Sequence, residues 1–219
     1  TSVTESNISF QIPADCYGLN KVTVERGLKK GILGNIKIPV SVGDVVGGGI
    51  VYYVDDTKLH GFICNKQNTG TMTEQFGPGV DLSLAAGTSK ALGTGKENTA
   101  KLIAKMAQFR QVYPESEWKD KKTAAEKCDE LEVRVNNINY NDWYLPSQEE
   151  LIELFKVKNI VAEKGGEIPK NNYWTSSEGD GNDAGWAAYY VNFYEETNII
   201  SAYSDKSIWR IGIRAIRSF

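Results

Sequence analysis

Short apolar runs of β character open the chain, Ile8-Ser-Phe-Gln-Ile12 and Lys21-Val-Thr-Val24, separated by Pro13, Gly18 and Gly27. Residues 1–41 therefore read as a small strand-rich appendage. At Val42 the texture changes. Gly43-Asp-Val-Val-Gly-Gly-Gly-Ile-Val-Tyr-Tyr-Val54 and Gly61-Phe-Ile-Cys64 predict two strands joined by a polar turn at Asp55 and Asp56, the opening hairpin of a unit covering residues 42–219. A loop-rich stretch follows, residues 65–96.

Helical spacing takes over next. Leu102, Ile103, Met106 and Phe109 recur on one face, and a second helix over residues 122–133 can bury Ala124, Ala125, Cys128 and Leu131. The polar run Asn136-Asn-Ile-Asn-Tyr-Asn-Asp142 breaks the pattern. Ser147 and Glu150 then make a capping box, in which each side chain satisfies an orphan amide at the start of a third helix whose apolar surface is Leu151, Ile152, Leu154 and Phe155. Beyond it the period falls to two, with strands over residues 172–177 and 186–194. In a final strand Trp209, Ile211, Ile213 and Ala215 alternate with Arg210, Gly212, Arg214 and Ile216, which predicts one buried face and one presenting guanidinium groups. No internal repeat is evident.

Composition narrows the function classes. The 219 residues are 41% hydrophobic, enough for a real core, and carry 25 Lys and Arg against 28 Asp and Glu. A formal charge of -3 offers no broad basic footprint, so no nucleic-acid partner is expected. There is no 18-residue apolar run and no charged-then-apolar leader at Thr1, so neither membrane insertion nor a secretory signal is expected. Cys16, Cys64 and Cys128 match neither a zinc site nor a dense disulfide framework, and their odd number leaves at least one thiol unpaired within the chain. Buried, inert thiols are expected.

Candidate chemistry is sparse. The single histidine, His60, sits in a turn before Gly61 with no Ser or Cys partner in a recognisable motif, a poor arrangement for a general base. Gly93-Thr-Gly-Lys96 has Lys90 where a phosphate loop has its first glycine, and Glu97 where the magnesium-binding hydroxyl belongs. Gly47-Gly-Gly49 lacks the spacing and following helix of a dinucleotide fingerprint. Glu178-Gly-Asp-Gly-Asn-Asp183 groups three carboxylates and an amide oxygen as a hard cation would need, but the expectation is a solvated loop, with no metal and no cofactor.

Five separated stretches carry a family resemblance: Gly47-Gly-Gly-Ile-Val-Tyr-Tyr-Val54 with His60-Gly61; Gly93-Thr-Gly-Lys-Glu-Asn-Thr99; Asp142-Trp-Tyr-Leu-Pro-Ser147 with Glu149-Glu-Leu151; Tyr173-Trp-Thr-Ser-Ser-Glu178; and Ile213-Arg-Ala-Ile-Arg-Ser-Phe219. In this order they resemble a large bacterial and phage family of surface domains related to the Fibrobacter major paralogous domain. The resemblance spans residues 42–219. It implies a C-type-lectin-like fold, an α+β domain whose N- and C-terminal strands pair and whose long loops display a ligand surface. Residues 13–24 are similar to a short element of phage tail proteins. Trp143-Tyr-Leu-Pro-Ser147 is also similar to a motif of formylglycine-generating enzymes, which share that fold. Their closely placed C-terminal cysteine pair has no counterpart after Cys128, so no catalytic residue is carried over.

Members of the family also serve as variable proteins of diversity-generating retroelements, in which codons near the C-terminus are randomised. The ending here resembles such a variable region. That implies fixed positions at Val191-Asn-Phe193, Lys206 and Ile213-Arg-Ala-Ile-Arg217, and changeable ones at Tyr190, Tyr194, Ser201, Tyr203, Asp205, Ser207 and Trp209. Together with Trp186, the changeable positions are the expected ligand contacts. Residue chemistry agrees, since tyrosine and tryptophan give stiff amphipathic contact area while serine and asparagine give adaptable hydrogen bonding. Of the nine aromatics from Tyr173 to Trp209, about half are expected to point inward, Trp174 and Phe193 among them. The expected function is binding without catalysis, by a module displayed on a phage tail or bacterial surface that attaches to a host-cell surface protein or glycan, as a monomer or homo-oligomer. A structural role in fibre assembly is the alternative.

Overall fold

A computed structural model describes residues 16–26, 29–79, 84–194, 200–208 and 211–219. The expected strand at Ile8–Ile12 and the residues Trp209 and Arg210 lie outside them. Strands β1 (Gly18–Arg26) and β2 (Lys29–Ile38) pair antiparallel as a two-stranded sheet of their own. The root of this hairpin is docked on the C-terminus. Tyr17 meets Phe219 edge-on at 5.3 Å, and Arg217 donates to the Tyr17 hydroxyl at 2.6 Å.

The rest of the chain is mixed α+β. In order, it forms β3 (Val45–Val46), β4 (Gly49–Val54), β5 (Gly61–Asn65), β6 (Thr69–Glu74), α1 (Gly95–Val112), α2 (Ala124–Asp129), β7 (Val133–Val135), β8 (Ile138–Tyr140), α3 (Gln148–Lys156), α4 (Lys158–Glu163), β9 (Asn172–Glu178), β10 (Ala187–Asn192), β11 (Ile200–Asp205), β12 (Ile211–Ile213) and β13 (Ile216–Ser218). Two sheets result, one ordered β11-β10-β9-β12-β6 and one ordered β13-β5-β4-β3. The C-terminal strand β13 pairs antiparallel with β5 of the opening hairpin. Helix α3 packs on β4, β9 and β10, and α1 packs on α2 and β9.

The expected opening hairpin is present, and its apolar density has a physical cause. Ile50, Tyr52, Phe62 and Cys64 face one core cluster with Leu151, Leu154 and Phe155, while Val51 and Ile63 face another with Trp143, Leu145 and Trp174. Strands covered on both faces lose the apolar-polar alternation and become continuous apolar runs.

Three expectations need correction. Strand β6 lies inside the expected loop, where Thr69-Gly-Thr-Met-Thr-Glu74 carries no strong strand pattern and pairing with β12 supplies the order. The second helix ends at Asp129, not near Val133. Beyond it Asn136 and Asn137, at φ 49° and 66°, make the two-residue turn of the β7–β8 hairpin; asparagine tolerates this left-handed conformation better than most residues. The final strand is also not one strand. It breaks at Arg214 and Ala215, where the chain leaves the five-stranded sheet as β12 and enters the four-stranded sheet as β13.

At that crossing Arg214 is 1% exposed, so it presents no guanidinium to solvent. It donates to the carbonyls of Asn65 (2.9 Å), Gln67 (2.8 Å) and Glu167 and to Asn68 Oδ1 (2.6 Å). Gln67, Asn68 and Glu167 lie outside the sheet ladders and Asn65 at the end of β5, and the planar fork of donors pairs with them.

The glycine-rich stretch at residues 93–96 also finds its anion inside the protein. Glu150 is fully buried and accepts from the amides of Gly93 (3.1 Å), Gly95 (3.4 Å) and Ser147 (2.7 Å), so one carboxylate serves the starts of both α1 and α3. A Cβ on Gly95 would lie 2.1 Å from Glu150 Oε2, which accounts for glycine there. Burial pushes the Glu150 carboxyl upward, and the donated amides oppose that push.

Replacing Arg214 with Leu would leave these buried acceptors without their donor. A loss of about 3 kcal/mol in unfolding free energy is expected, read as a lower urea midpoint. An unchanged midpoint would mean that the fork is dispensable.

Candidate functional site

The register of β10 against β11 decides which C-terminal residues share a face. Tyr189 stands opposite Tyr203, Ala187 opposite Asp205 and Val191 opposite Ser201, and directly opposed residues project to the same side. One end of this face is covered. Val191 is buried in the cluster that contains Leu151, Leu154 and Phe155 of α3, and Gln148 donates to Ser201 Oγ at 2.8 Å. The other end carries Tyr189, Tyr203 and the neighbouring Trp186 outside the covering helix.

There the rings form a compact cluster. Tyr203 meets Tyr189 at 5.6 Å and Trp186 at 6.3 Å between centroids, both tilted toward edge-on, and Trp186 and Tyr203 remain 37% and 46% exposed. Polar groups pin the ring edges. Trp186 Nε1 donates to Asp183 Oδ1 at 3.1 Å, and Tyr189 donates its hydroxyl to Asp180 Oδ2 at 2.7 Å. Lys90 donates to the same Asp180 oxygen at 2.6 Å, with its ammonium 4.5 Å from the Tyr189 ring centre. These bonds from Lys90 and Tyr189 hold the Asp180 carboxyl below the usual carboxylate range, and a hydrogen bond to Asp183 raises the Tyr203 phenol. An open cleft of about 460 Å3 lies beside the cluster, between residues 87–91 and 178–181.

The floor is a buried ion pair. Lys206 Nζ lies 2.9 Å from Glu178 Oε1, with the side chains 3% and 2% exposed, and also donates to the carbonyl of Ala184 at 2.7 Å. Glu178 further accepts from the amides of Ala86 and Gly87. One carboxylate thus ties together β9, the 3-10 turn Gly181–Gly185, the end of β11 and the segment that leads to Lys90. Burial lowers the Lys206 pKa, and the Glu178 charge works against that shift. The acidic run is solvated beyond its first two residues: Glu178 turns inward to Lys206, while Asp180 to Asn182 are exposed, Asp180 pairing with Lys90 at the surface and half-buried Asp183 accepting from Trp186. No group of His, Cys, Asp and Glu that could hold a metal occurs among the described residues.

No protein-family model matches the chain, and no curated protein matches it. The site's chemistry must speak through its own residues.

The expected contacts divide into distinct groups. Trp186, Tyr194 and Tyr203 are exposed, Tyr194 at 53%. Asp205 and Ser207 stand at the end of β11, where Asp205 Oδ1 accepts from the Ser207 amide and hydroxyl. Ser201 is half-buried and donates to the Tyr190 carbonyl. Tyr190 itself points the other way, packing edge-on against buried Trp174 at 6.3 Å, so its ring serves the core. Tyr173, Trp174 and Phe193 are buried, Tyr189 and Tyr190 half-buried. Lys90, Asp180, Asp183 and Tyr189 complete the site, although none was among the expected contacts. Lys90 is 90 positions from Asp180, so no local pattern in the chain signals their meeting.

Removing one partner of the floor pair isolates a charge in the interior. Lys206→Met is expected to destabilise by about 3–5 kcal/mol, and adding Glu178→Gln should recover much of the loss. Denaturant unfolding of the two variants measures both, and a mild single-variant effect would deny the pair its structural role.

Proposed function

We propose that this protein is a non-enzymatic binding module of C-type-lectin-like fold, displayed on a phage tail or bacterial surface, that contacts a host or ligand molecule through the face of Trp186 and Tyr203, with Tyr194 exposed at the opposite end of β10. The observation that carries the reading is an exposed aromatic cluster on a rigid floor. Large amphipathic rings held by ion pairs and hydrogen bonds lose little entropy on binding, which is the economy that paratopes use.

Several features support the fold assignment. The mixed α+β arrangement and the pairing of β13 with β5 match what the family resemblance implies. The motif stretches behind that resemblance meet in the interior. Tyr144 exchanges backbone hydrogen bonds with Ile216, Ser176 donates to the Pro146 carbonyl, Asn98 donates to Ser176 Oγ, and Arg217 makes a forked ion pair with Asp142. Shared scaffold with an independent surface is the arrangement that a diversified binder needs. Buried Phe193 and Lys206 fit the fixed class, and exposed Tyr194, Tyr203 and Ser207 fit the changeable one.

A reading as a thiol enzyme gains little from the buried thiols. Desolvation pushes the Cys64 thiol up to about 11 and raises Cys128 further, which keeps both protonated and poor as nucleophiles.

The triple variant Trp186→Ala, Tyr194→Ala, Tyr203→Ala should lose ligand capture or adsorption by about tenfold or more while keeping its unfolding midpoint. Capture that survives in the folded variant rejects the contact surface and favours the assembly role. Diversification has a separate test. Sequencing the surrounding locus should find a reverse transcriptase and a template repeat that differs from the 3′ end of this gene at adenines, and a locus without either rejects that part.

A further inference from the structure

We infer that the cluster of Trp186, Tyr189 and Tyr203 accepts a cationic side chain, the guanidinium or ammonium group of an arginine or lysine on a partner protein. The inference rests on reading this face as the contact surface, and it names the chemistry that the face selects.

The rings provide the first part of the case. An aromatic face carries the negative lobe of a quadrupole and attracts a cation within about 6 Å of its centre. The three rings stand as a tilted group, and Trp186 and Tyr203 are exposed to solvent.

The second part is that this site already holds a cation of its own. The Lys90 ammonium sits 4.5 Å from the Tyr189 ring centre, bonded to that ring's hydroxyl at 3.2 Å and to Asp180 at 2.6 Å. Ring face, phenol and carboxylate together make a receptor for a nitrogen cation. Next to it Asp183 accepts from Trp186 Nε1, and its carboxylate raises the pKa of the Tyr203 phenol. A second carboxylate thus lies at the polar edge of an exposed ring.

Charge provides the third part. Among the described residues, Asp180, Asp183 and Asp205 stand around the cluster against the Lys90 ammonium, Lys206 is held by Glu178 in the interior, and Lys101, at the Gly87 carbonyl, is paired with Glu97. The resulting field favours a cation and opposes an anion. An arginine satisfies ring and carboxylate together, since its planar guanidinium stacks on aromatic faces while its edge donates to a carboxylate.

Lys90 gives the inference a distinctive sign. It competes with an incoming cation for Tyr189 and Asp180, so removing its charge should strengthen binding. The probe is Nα-acetyl-arginine amide, with the citrulline analogue as its neutral isostere, titrated into the full chain and followed by NMR shifts of the Trp186 indole and the Tyr189 and Tyr203 rings. The arginine probe should saturate these signals at millimolar concentration and the citrulline probe should not. Lys90→Met should tighten the arginine probe about threefold, and Asp183→Asn or Trp186→Ala should weaken it by at least as much. Lys90→Gln carries the same expectation if the methionine variant lowers the unfolding midpoint.

Equal binding of the two probes overturns the inference, as does arginine affinity that fails to rise in both Lys90 variants. Under either result, adsorption or capture that still depends on Trp186 and Tyr203 leaves the contact surface standing, so the two failures are distinguishable.

Discussion

The ion pair between Glu178 and Lys206 is the constraint on which the displayed face depends. Two opposite charges removed from water are tolerable only when they satisfy each other and their remaining hydrogen-bonding capacity is met. Here the carboxylate also receives the Ala86 and Gly87 amides, and the ammonium reaches the Ala184 carbonyl. The Lys206 backbone takes part as well, donating to the Trp186 carbonyl and accepting from the Phe76 amide. Trp186, Lys90 and Tyr203 are thereby held by segments distant in sequence that converge on a pair able to keep its partners in only a narrow set of positions. Rigidity of the surface follows from the cost of opening its floor.

The same device recurs elsewhere in the molecule. Glu150 stands at the starts of two helices, and Arg214 gathers carbonyls where the chain changes sheets. Glu150 and Arg214 sit where regular secondary structure leaves backbone groups without partners, at helix starts and around a sheet crossing. Irregular connections are thus satisfied from within, and the aromatic residues at the surface are freed from structural duty. Tyr190 marks the boundary of that division, since its neighbour Tyr189 shares the face of Tyr203 while Tyr190 fills space against Trp174.

This separation between scaffold and surface bears on the proposed function. A surface that varies must not disturb the core beneath it. Exposed rings at Tyr194 and Tyr203 contribute contact area without filling the interior, whereas Phe193 packs edge-on between Phe155 and Tyr173. On the proposed function, substitution at the first two positions would alter the contact surface and leave the interior filled, and substitution at the third opens a cavity.

The sequence by itself determined the opening hairpin, the capped third helix and the strands over residues 172–177 and 186–194, because strong local periodicity and side-chain capping act over a few residues and leave their mark in the chain. It also marked the C-terminal aromatics as a mixture of core and surface. Strand β6, the crossing at Arg214 and the shared role of Glu150 were decided by tertiary structure, since each depends on partners far away in sequence: β12 for the first, loops near residues 65 and 167 for the second, and the start of α1 for the third. The candidate site divides in the same way. Tyr203 and Trp186 were legible as candidate aromatic contacts, but strand β11, which carries Tyr203, was not, and the meeting of Lys90 with Asp180 and Tyr189 exists only once the sheet and the 84–92 segment are packed together. Charge pairs across 90 residues leave no periodic trace, because the Coulomb attraction that selects them acts through space and not along the chain.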